Sequence, residues 1–465
     1  MMLFKIAFRN ILRNGRRSLM TASAIAVGAM ALILFGEYVG YMVRGMETGT
    51  VRGAGHMAVF RKGYFEFGNG NPSAYSISRY KSVMTLIKND PVLKPMLTVV
   101  TPHVSLFGIA GNFAADSSKT FMGSGVVPAD LREMRKWDDY GGFGSSGDVG
   151  LKDGDDTHGI IGKGLARMLM LCEPLKIEGC PKPKKTVEEA PMAGAPAFQF
   201  SELAARDRAP NTPGETTSEP RIDLLAATAN GSPNVVSLYV TEARNQGAKE
   251  IDDMYVGMTL GLAQQLLYGR GEHKAVSIVI QLQHTAQIAV AMARLKTLFQ
   301  QHHLDLEVHD FRELNPEYNQ VIGLFGAIFV FIAVIMGIIV LFTVINTMSM
   351  SVMERVNEIG TIRAMGVRRS GVRRQFLVEG LFLGVIGATA GIVLSILFAA
   401  WFNGTGAQWT PPGEASPIPL RLLATGVAGF QCAVWLGLVL MATIAAYVPA
   451  RRAAAMKVVD ALRHV

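Results

Sequence analysis

The sequence lacks the motifs and the cysteine content that define several classes of protein. Three cysteines among 465 residues are too few for a disulfide scaffold. The patterns G-x-x-x-x-G-K-[ST], H-E-x-x-H and G-x-S-x-G do not occur, and the nine histidines show no metal-ligand spacing. We therefore expect no catalytic residue, no metal site and no cofactor bound by this chain. A membrane enzyme is the least favoured class.

Charged residues are also absent from long stretches of the chain. The sequence is 49% hydrophobic, with a mean hydropathy of +0.27, which is too apolar for an ordinary soluble protein. The net charge of +8 is compatible with nucleic-acid binding, but the basic residues cluster beside apolar runs. That arrangement fits the anionic inner leaflet better. We expect a protein that contacts membrane lipids and no nucleic acid.

Four apolar runs are long enough to span a bilayer. We predict transmembrane helices at residues 19–43, 321–348, 376–402 and 422–448. An amphipathic helix at residues 1–18 precedes them, and a tail at residues 449–465 follows. Residues 349–375 are rich in arginine, whereas residues 403–421 form a short loop with no Lys or Arg before Arg421. By the positive-inside rule both termini and residues 349–375 are cytoplasmic, and residues 44–320 are periplasmic.

The large region at residues 44–320 contains no spanning run. β-rich pieces at residues 56–60, 160–161, 234–240, 276–282 and 306–309 interleave with helical patterns, so we predict an α+β domain. Residues 173–220 are proline-rich and predict an extended insertion, either a docking arm or a tolerated surface loop. Cys172 and Cys180 form a disulfide if this region is extracytoplasmic, or remain two unpaired thiols.

Small and acidic residues within the apolar runs predict how the helices pack. Glycines at helical spacing allow a neighbouring helix to approach closely, although ordinary glycine content also explains the pair in the first span. Glu37 is expected near the outer interface, and Glu379 either pairs with a neighbouring helix or extends to the interface. The glycines concerned are Gly36, Gly40, Gly380, Gly384, Gly387 and Gly391.

The segment between the second and third runs has the most ordered pattern. Apolar residues recur at helical spacing and charged residues fall mostly on the other faces, which predicts one amphipathic helix from Met350 to Gly366. Gly366 fits its C-cap, and Ser370 fits the N-cap of the next helix. The charged face is either solvated or free to meet a soluble partner.

Residue order in this segment resembles a known family. Glu354-Arg355, Glu358-Ile359-Gly360 and Arg363-Ala364-Met365-Gly366 resemble the E-R-x-x-E-I-G-x-x-R-A-x-G signature of FtsX/MacB/LolC-like ABC transporter permeases, the type VII ABC superfamily. In that family the segment is the coupling helix that contacts the ATPase. The resemblance implies that the coupling residues here are Glu354, Arg355, Val356, Glu358, Ile359, Gly360, Ile362, Arg363 and Gly366.

The resemblance also implies a function. Integral membrane proteins of this family have four transmembrane helices, with a large periplasmic domain between the first two, and work in the bacterial inner membrane. We expect a permease subunit whose ATP and Mg are bound by a separate ATPase dimer, and which pairs with a second permease chain, identical or paralogous. The expected substrate is a lipid, lipoprotein or other amphiphile, with a periplasmic carrier or lipoprotein as a further partner. The alternative is a transmembrane signal transducer that controls a periplasmic hydrolase.

Overall fold

The computed structural model describes residues 2–68, 74–141, 148–180, 219–228, 231–269, 271, 273–410, 418–422 and 428–458. The chain divides into two compact units. The first, here called the helical unit, comprises the described residues of Met1–Glu47, Asn315–Trp409 and Pro417–Val465. The second, the sheet unit, comprises those of Thr48–Leu314 and Thr410–Ser416.

The described residues form the following helices and strands. The helices are α1 (Met2–Arg13), α2 (Gly15–Ala54), α3 (Tyr80–Asn89), α4 (Pro128–Met134), α5 (Lys163–Met168), α6 (Lys249–Asp252), α7 (Leu260–Tyr268), α8 (Ile288–Gln301), α9 (Phe311–Leu314), α10 (Pro316–Glu354), α11 (Val356–Ala364), α12 (Arg369–Gly404) and α13 (Ala428–Ala455). The strands are β1 (Met57–Arg61), β2 (Leu97–Asn112), β3 (Ser117–Val126), β4 (His158–Gly162), β5 (Arg221–Ala227), β6 (Pro233–Arg244), β7 (Tyr255–Thr259), β8 (Ser277–Leu282), β9 (Leu306–Asp310), β10 (Gln408–Trp409) and β11 (Ile418–Pro419).

Four helices, α2, α10, α12 and α13, are long and apolar enough to cross a membrane. Helices α2, α10 and α12 extend beyond the apolar runs at both ends, because backbone hydrogen bonding continues through polar residues. Helix α10 begins at Pro316, the first helical position, where the missing N–H of proline has no helical partner in any case. Helix α13 is described from Ala428 and continues to Ala455, beyond the predicted end of the apolar run.

Helix α12 packs between α13 and α2 through its glycines. A Cβ added at Gly384 would lie 3.0 Å from the Cβ of Ala442 on α13, and one at Gly380 would collide with Ala446. On the other side, a Cβ at Gly387 would lie 2.7 Å from that of Ile25 on α2. The close approach that the glycine spacing predicts therefore occurs between helices of one chain.

The remaining predicted glycines lie elsewhere on these helices. A Cβ at Gly391 would collide with Ala29 of α2, which extends the α12–α2 contact by one turn. Gly36 faces the ring of Phe430 at the start of α13, and Gly40 is half-buried on α2.

The sheet unit is built on one mixed sheet of nine strands, in the order β3-β7-β4-β6-β5-β2-β8-β1-β9. The long strand β2 also pairs with β3, so six of the strands close into a ring. The first half of β2, Leu97–His103, pairs with β8 instead. Helix α7 packs its buried Leu262 and Leu266 into the same apolar cluster as Leu106 and Phe121 of the ring.

Five strands lie where the sequence pattern predicts β structure, namely β1, β4, β6, β8 and β9. Strands β2, β3, β5 and β7 were not predicted, because β2 and β3 contain Pro, Gly, Ser and Lys residues that weaken a local strand pattern. Cys172 and Cys180 are joined by a disulfide within this unit, with their Cα atoms 6.2 Å apart. The proline-rich insertion lies mostly outside the described residues.

Candidate functional site

The predicted amphipathic helix is not one helix from Met350 to Gly366. Helix α10 continues to Glu354, the backbone turns at Arg355 with φ −107° and ψ 17°, and the short helix α11 begins at Val356. The expectation of a single helix was therefore wrong. At this turn the side chain of Arg355 is buried in the protein. The sequence pattern had placed Arg355 on the exposed charged face.

The buried face of α11 packs on the helical unit itself. Val356 and Ile359 are 7% and 5% exposed, and Gly360 is buried. Ile359 shares an apolar cluster with Phe376 of α12 and Ala453 of α13. Of the coupling residues that the resemblance implies, Val356, Ile359 and Gly360 are therefore buried within the chain and do not form an open surface for an ATPase.

A buried ionic network holds the turn between α10 and α11. Nη1 of Arg355 donates to Oε1 of Glu379 on α12 at 3.0 Å, and both side chains are at most 5% exposed. Nδ2 of Asn10 on α1 donates to the same oxygen at 2.7 Å. Nη2 of Arg355 donates to the backbone carbonyl of Asn10 at 3.2 Å. Glu379 thus pairs with a neighbouring helix, one of the two alternatives left open by the sequence.

Exposed ion pairs form a second layer around α11. Nη2 of Arg13 lies 2.8 Å from both carboxylate oxygens of Glu358, and this hydrogen bond raises the pKa of Arg13. Arg17 pairs with Glu354. These side chains are 38–52% exposed, so each pair contributes little stability alone, but together they fix α1 and the start of α2 against this segment.

The far end of α11 is capped and anchored. Gly366 has φ +96°, its N–H donates to the carbonyl of Arg363 at 3.1 Å, and the N–H of Val367 donates to Ile362 at 3.3 Å. This is a Schellman motif, so the C-cap prediction at Gly366 is correct. Nη1 of Arg363 donates to the carbonyls of Ala454 and Met456 at the end of α13, at 3.2 and 2.5 Å.

The N-cap prediction at Ser370 is wrong. Helix α12 begins at Arg369, and its N-cap is Arg368, two residues before Ser370, with extended backbone and no side-chain cap bond. Ile362 is half-buried, whereas Asn357, Thr361 and Ala364 are exposed.

The surface of α11 that remains open lies on the side opposite Ile359 and around its capped end. It consists of Asn357, Thr361, Ala364, Met365 and Val367, and we call it the open face. Met365 is 73% exposed and Val367 is 41% exposed. Methionine is enriched at protein–protein interfaces, so the exposed Met365 makes this face a candidate surface for binding another protein.

Sequence reasoning missed the α1 and α2 residues that hold α11, namely Asn10, Arg13 and Arg17. A signal for two of them was present, because Arg13 and Arg17 are four residues apart, as are Glu354 and Glu358. The two pairs match in spacing and in charge. The predicted glycines lie in the packing of the helices, and the two cysteines belong to the sheet unit, so neither group is part of this site.

Comparison with known proteins identifies the region that carries this site. Residues 329–458, from within α10 to beyond the end of α13, match the family model described as FtsX-like permease C-terminal. The chain is similar to the macrolide export ATP-binding/permease protein MacB of Escherichia coli, with 27% identity over 194 residues, or 41% of this chain and 28% of that protein.

Two further relatives are of the same kind. MacB of Shewanella sp. (strain W3-18-1) is 37% identical over 131 residues, which is 28% of this chain and 18% of that protein. The pyoverdine export ATP-binding/permease protein PvdT of Pseudomonas savastanoi pv. phaseolicola (strain 1448A / Race 6) is 38% identical over 120 residues, or 26% of this chain and 16% of that protein. The matched segments thus span less than a third of each relative. The resemblance to FtsX- and MacB-like permeases is confirmed, and the chain is a multi-pass membrane protein with an FtsX-like permease domain.

Proposed function

We propose that this chain is the permease subunit of an ATP-driven ABC complex in the bacterial inner membrane, and that α11 transmits force from a separate ATPase subunit. The substrate class is a lipid, lipoprotein or other amphiphile. The relatives are all named as export proteins, which supports transport over the alternative of a signal transducer.

The observation that carries this proposal is the way α11 is fixed on one side and open on the other. Its buried face packs on α12 and α13, and its charged residues Glu358 and Arg363 are held by α1 and by the end of α13. The residues just before it, Glu354 and Arg355, are held by α2 and α12. A push on the open face is therefore passed to the ends of several spanning helices at once, instead of bending a loose loop. Rigid, multiply anchored elements of this kind are suited to conveying motion between sites.

Two features support the proposed topology. The Cys172–Cys180 disulfide is the kind of bond that persists in the periplasm and is rare in the cytosol. The arginines around α11 and at the end of α13 follow the positive-inside pattern. We propose that α11 and both termini are cytoplasmic and that the sheet unit is periplasmic.

Docking is tested on the open face, with Met365→Asp as the main variant. A charge at this 73% exposed position should weaken co-purification of the cognate ATPase by about tenfold or more, because a central apolar contact would be replaced by a hydrated carboxylate. The matched control is Phe113→Asp in the sheet unit, which changes a 79% exposed apolar residue in the same way. Thermal unfolding of both variants should match the unmodified chain.

Ile359→Ala, a change at a buried residue of α11, is compared with the exposed-face variant Met365→Asp. Because Ile359 is buried within the chain, this variant should lower the thermal stability of the permease together with its ATPase coupling. Normal co-purification and normal ATP turnover with Met365→Asp would remove the coupling assignment. So would equal losses with Met365→Asp and Phe113→Asp.

Topology is tested separately, by labelling in a chain with Cys432 changed to Ser. A membrane-impermeant thiol reagent added to intact spheroplasts should modify a cysteine placed at the exposed position Ser118, and spare one placed at the exposed position Ser370. Labelling in the opposite sense would reverse the proposed orientation without affecting the docking test.

A further inference from the structure

A cavity with both basic and apolar walls opens at the end of α13. Its volume is about 340 Å³, and it is lined by Tyr447, Val448, Arg451, Arg452 and Ala455. The cavity is separate from the open face of α11.

The basic side of this cavity is not neutralised within the described chain. Arg451 and Arg452 are exposed, and no carboxylate of the described residues forms an ion pair with either. Arg373 of α12 adds a third guanidinium, 6.0 Å from the centre of the Tyr447 ring. The planar guanidinium group matches the geometry of phosphate oxygens.

The apolar side of the cavity continues along α13. Leu436, Leu440, Ile444 and Val448 recur every fourth residue and are 42–63% exposed, and Arg452 ends the same row. At 1.5 Å per residue the row from Leu436 to Val448 is about 18 Å long. One leaflet of the hydrocarbon core is about 15 Å thick, so the row matches the depth of a single leaflet.

We propose that this cavity binds an anionic phospholipid of the leaflet on the α11 side. The headgroup phosphate accepts hydrogen bonds from Arg451 and Arg452, Tyr447 lies at the interface, and an acyl chain follows the apolar row. A soluble acidic protein surface would use the arginines and leave the apolar row unused, so the continuous row favours a lipid. Free phosphate would likewise use only half of the site.

Bound lipid would contact the same end of α13 that α11 contacts. Arg363 donates to the carbonyl of Ala454, which is next to the cavity residue Ala455. Lipid occupancy therefore orders the turn that receives motion from α11. Lipid binding itself requires no ATPase, so this proposal can stand if the coupling assignment fails.

The test measures lipid binding to the delipidated full-length chain by native mass spectrometry. Phosphatidylglycerol is compared with phosphatidylcholine carrying the same acyl chains. We expect the unmodified chain to prefer phosphatidylglycerol, and the Arg451→Gln, Arg452→Gln double variant to bind it about tenfold or more weakly, with phosphatidylcholine binding unchanged. The Arg451→Lys, Arg452→Lys variant should retain most of the affinity because it keeps the charge.

The matched control is Arg369→Gln, Arg374→Gln, which removes two exposed arginines of α12 that do not line the cavity. It should leave phosphatidylglycerol affinity within about twofold of the unmodified chain. Millimolar inorganic phosphate or the free glycerophosphoglycerol headgroup should not displace the lipid.

Four results would overturn the proposal. Equal affinity for the two lipids, or equal losses in the cavity and control variants, would mean that there is no specific site. Displacement by inorganic phosphate would assign the cavity to a free anion. Loss of ATPase co-purification with unchanged lipid binding in the Arg451→Gln, Arg452→Gln variant would assign the arginines to a protein surface.

Discussion

Removing one member of the buried Arg355–Glu379 pair should destabilise the helical unit far more than removing both. The two side chains are 5% and 4% exposed and lie 3.0 Å apart, so solvent screens their interaction little. At an effective dielectric constant of about 20 the attraction at this separation is on the order of 5 kcal/mol, and the cost of desolvating both charges offsets most of it. Leaving one charge buried without its partner removes the attraction and keeps the desolvation cost.

We therefore expect Glu379→Leu and Arg355→Met to lower the free energy of unfolding by about 3–5 kcal/mol each, and the double variant to recover most of that loss. Asn10→Ala removes one hydrogen bond to the carboxylate, at 2.7 Å, and should cost about 1.5–3 kcal/mol. The exposed Arg13–Glu358 pair, which joins α1 to α11 next to this turn, is the matched control. Its Arg13→Met, Glu358→Leu cycle should show a coupling below about 1 kcal/mol.

The assay is a double-variant cycle of unfolding by sodium dodecyl sulfate in mixed micelles, followed by circular dichroism. Helix dominates the helical unit, so the helical signal reports mainly on that unit. A double variant less stable than either single variant would refute the reasoning, because it would mean that the pair is strongly stabilising in itself. The burial argument would be refuted if Arg355→Met and Glu379→Leu each lost no more stability than Arg13→Met and Glu358→Leu.

Three further predictions follow from other contacts. Gly384→Leu should lower the thermal stability of the monomer, because the added side chain overpacks against Ala442. Gly437→Leu should not, because a Cβ at Gly437 meets open space. Equal unfolding temperatures for the two variants would exclude tight α12–α13 packing. Burial lowers the pKa of His56 to about 4, and Nδ1 of His56 accepts the N–H of Leu282. Below about pH 6.5 the unfolded chain therefore binds more protons at this residue than the folded chain does. The free energy of unfolding should fall by up to about 3 kcal/mol on this account between pH 6.5 and 4. His56→Asn, which keeps an acceptor, should reduce that fall in thermal unfolding without abolishing it, because burial also lowers the pKa of His103 to about 4. An unchanged profile would assign the loss to other groups. Arg294→Met should leave the buried Asp90 carboxylate, whose pKa the hydrogen bond from Arg294 lowers, without its ionic partner. In chemical denaturation it should therefore lower stability more than the exposed-pair variant Lys136→Met, and equal losses would refute this reasoning.

The position of each apolar helix could be read from the sequence because the bilayer imposes a length and a composition that appear in consecutive residues. The capping role of Gly366 was also local, since only a residue that tolerates positive φ fits there. The family signature likewise lies within 13 consecutive positions, from Glu354 to Gly366.

The burial of the signature residues could not be read in the same way. Helical spacing shows that Val356 and Ile359 share a face, but it does not say whether that face meets a partner, the bilayer or the same chain. For Arg355 the pattern indicated an exposed position, and the structure buries it because Glu379 and Asn10, 24 and 345 residues away, supply its partners. Partners so distant leave no periodic trace near Arg355.

By itself, the sequence determined that this is a membrane protein with four apolar helices and a permease signature, since hydropathy, glycine spacing and capping act over a few turns of chain. The tertiary structure alone decided which side of α11 is closed, which residues of α1 and α2 hold it, and that α12 packs through its glycines on both α13 and α2. It also decided that a single long strand, β2, belongs to both a six-stranded ring and the pairing with β8. These features depend on contacts between residues far apart in the chain, and the free energy of such contacts is set by burial and geometry that no local pattern records.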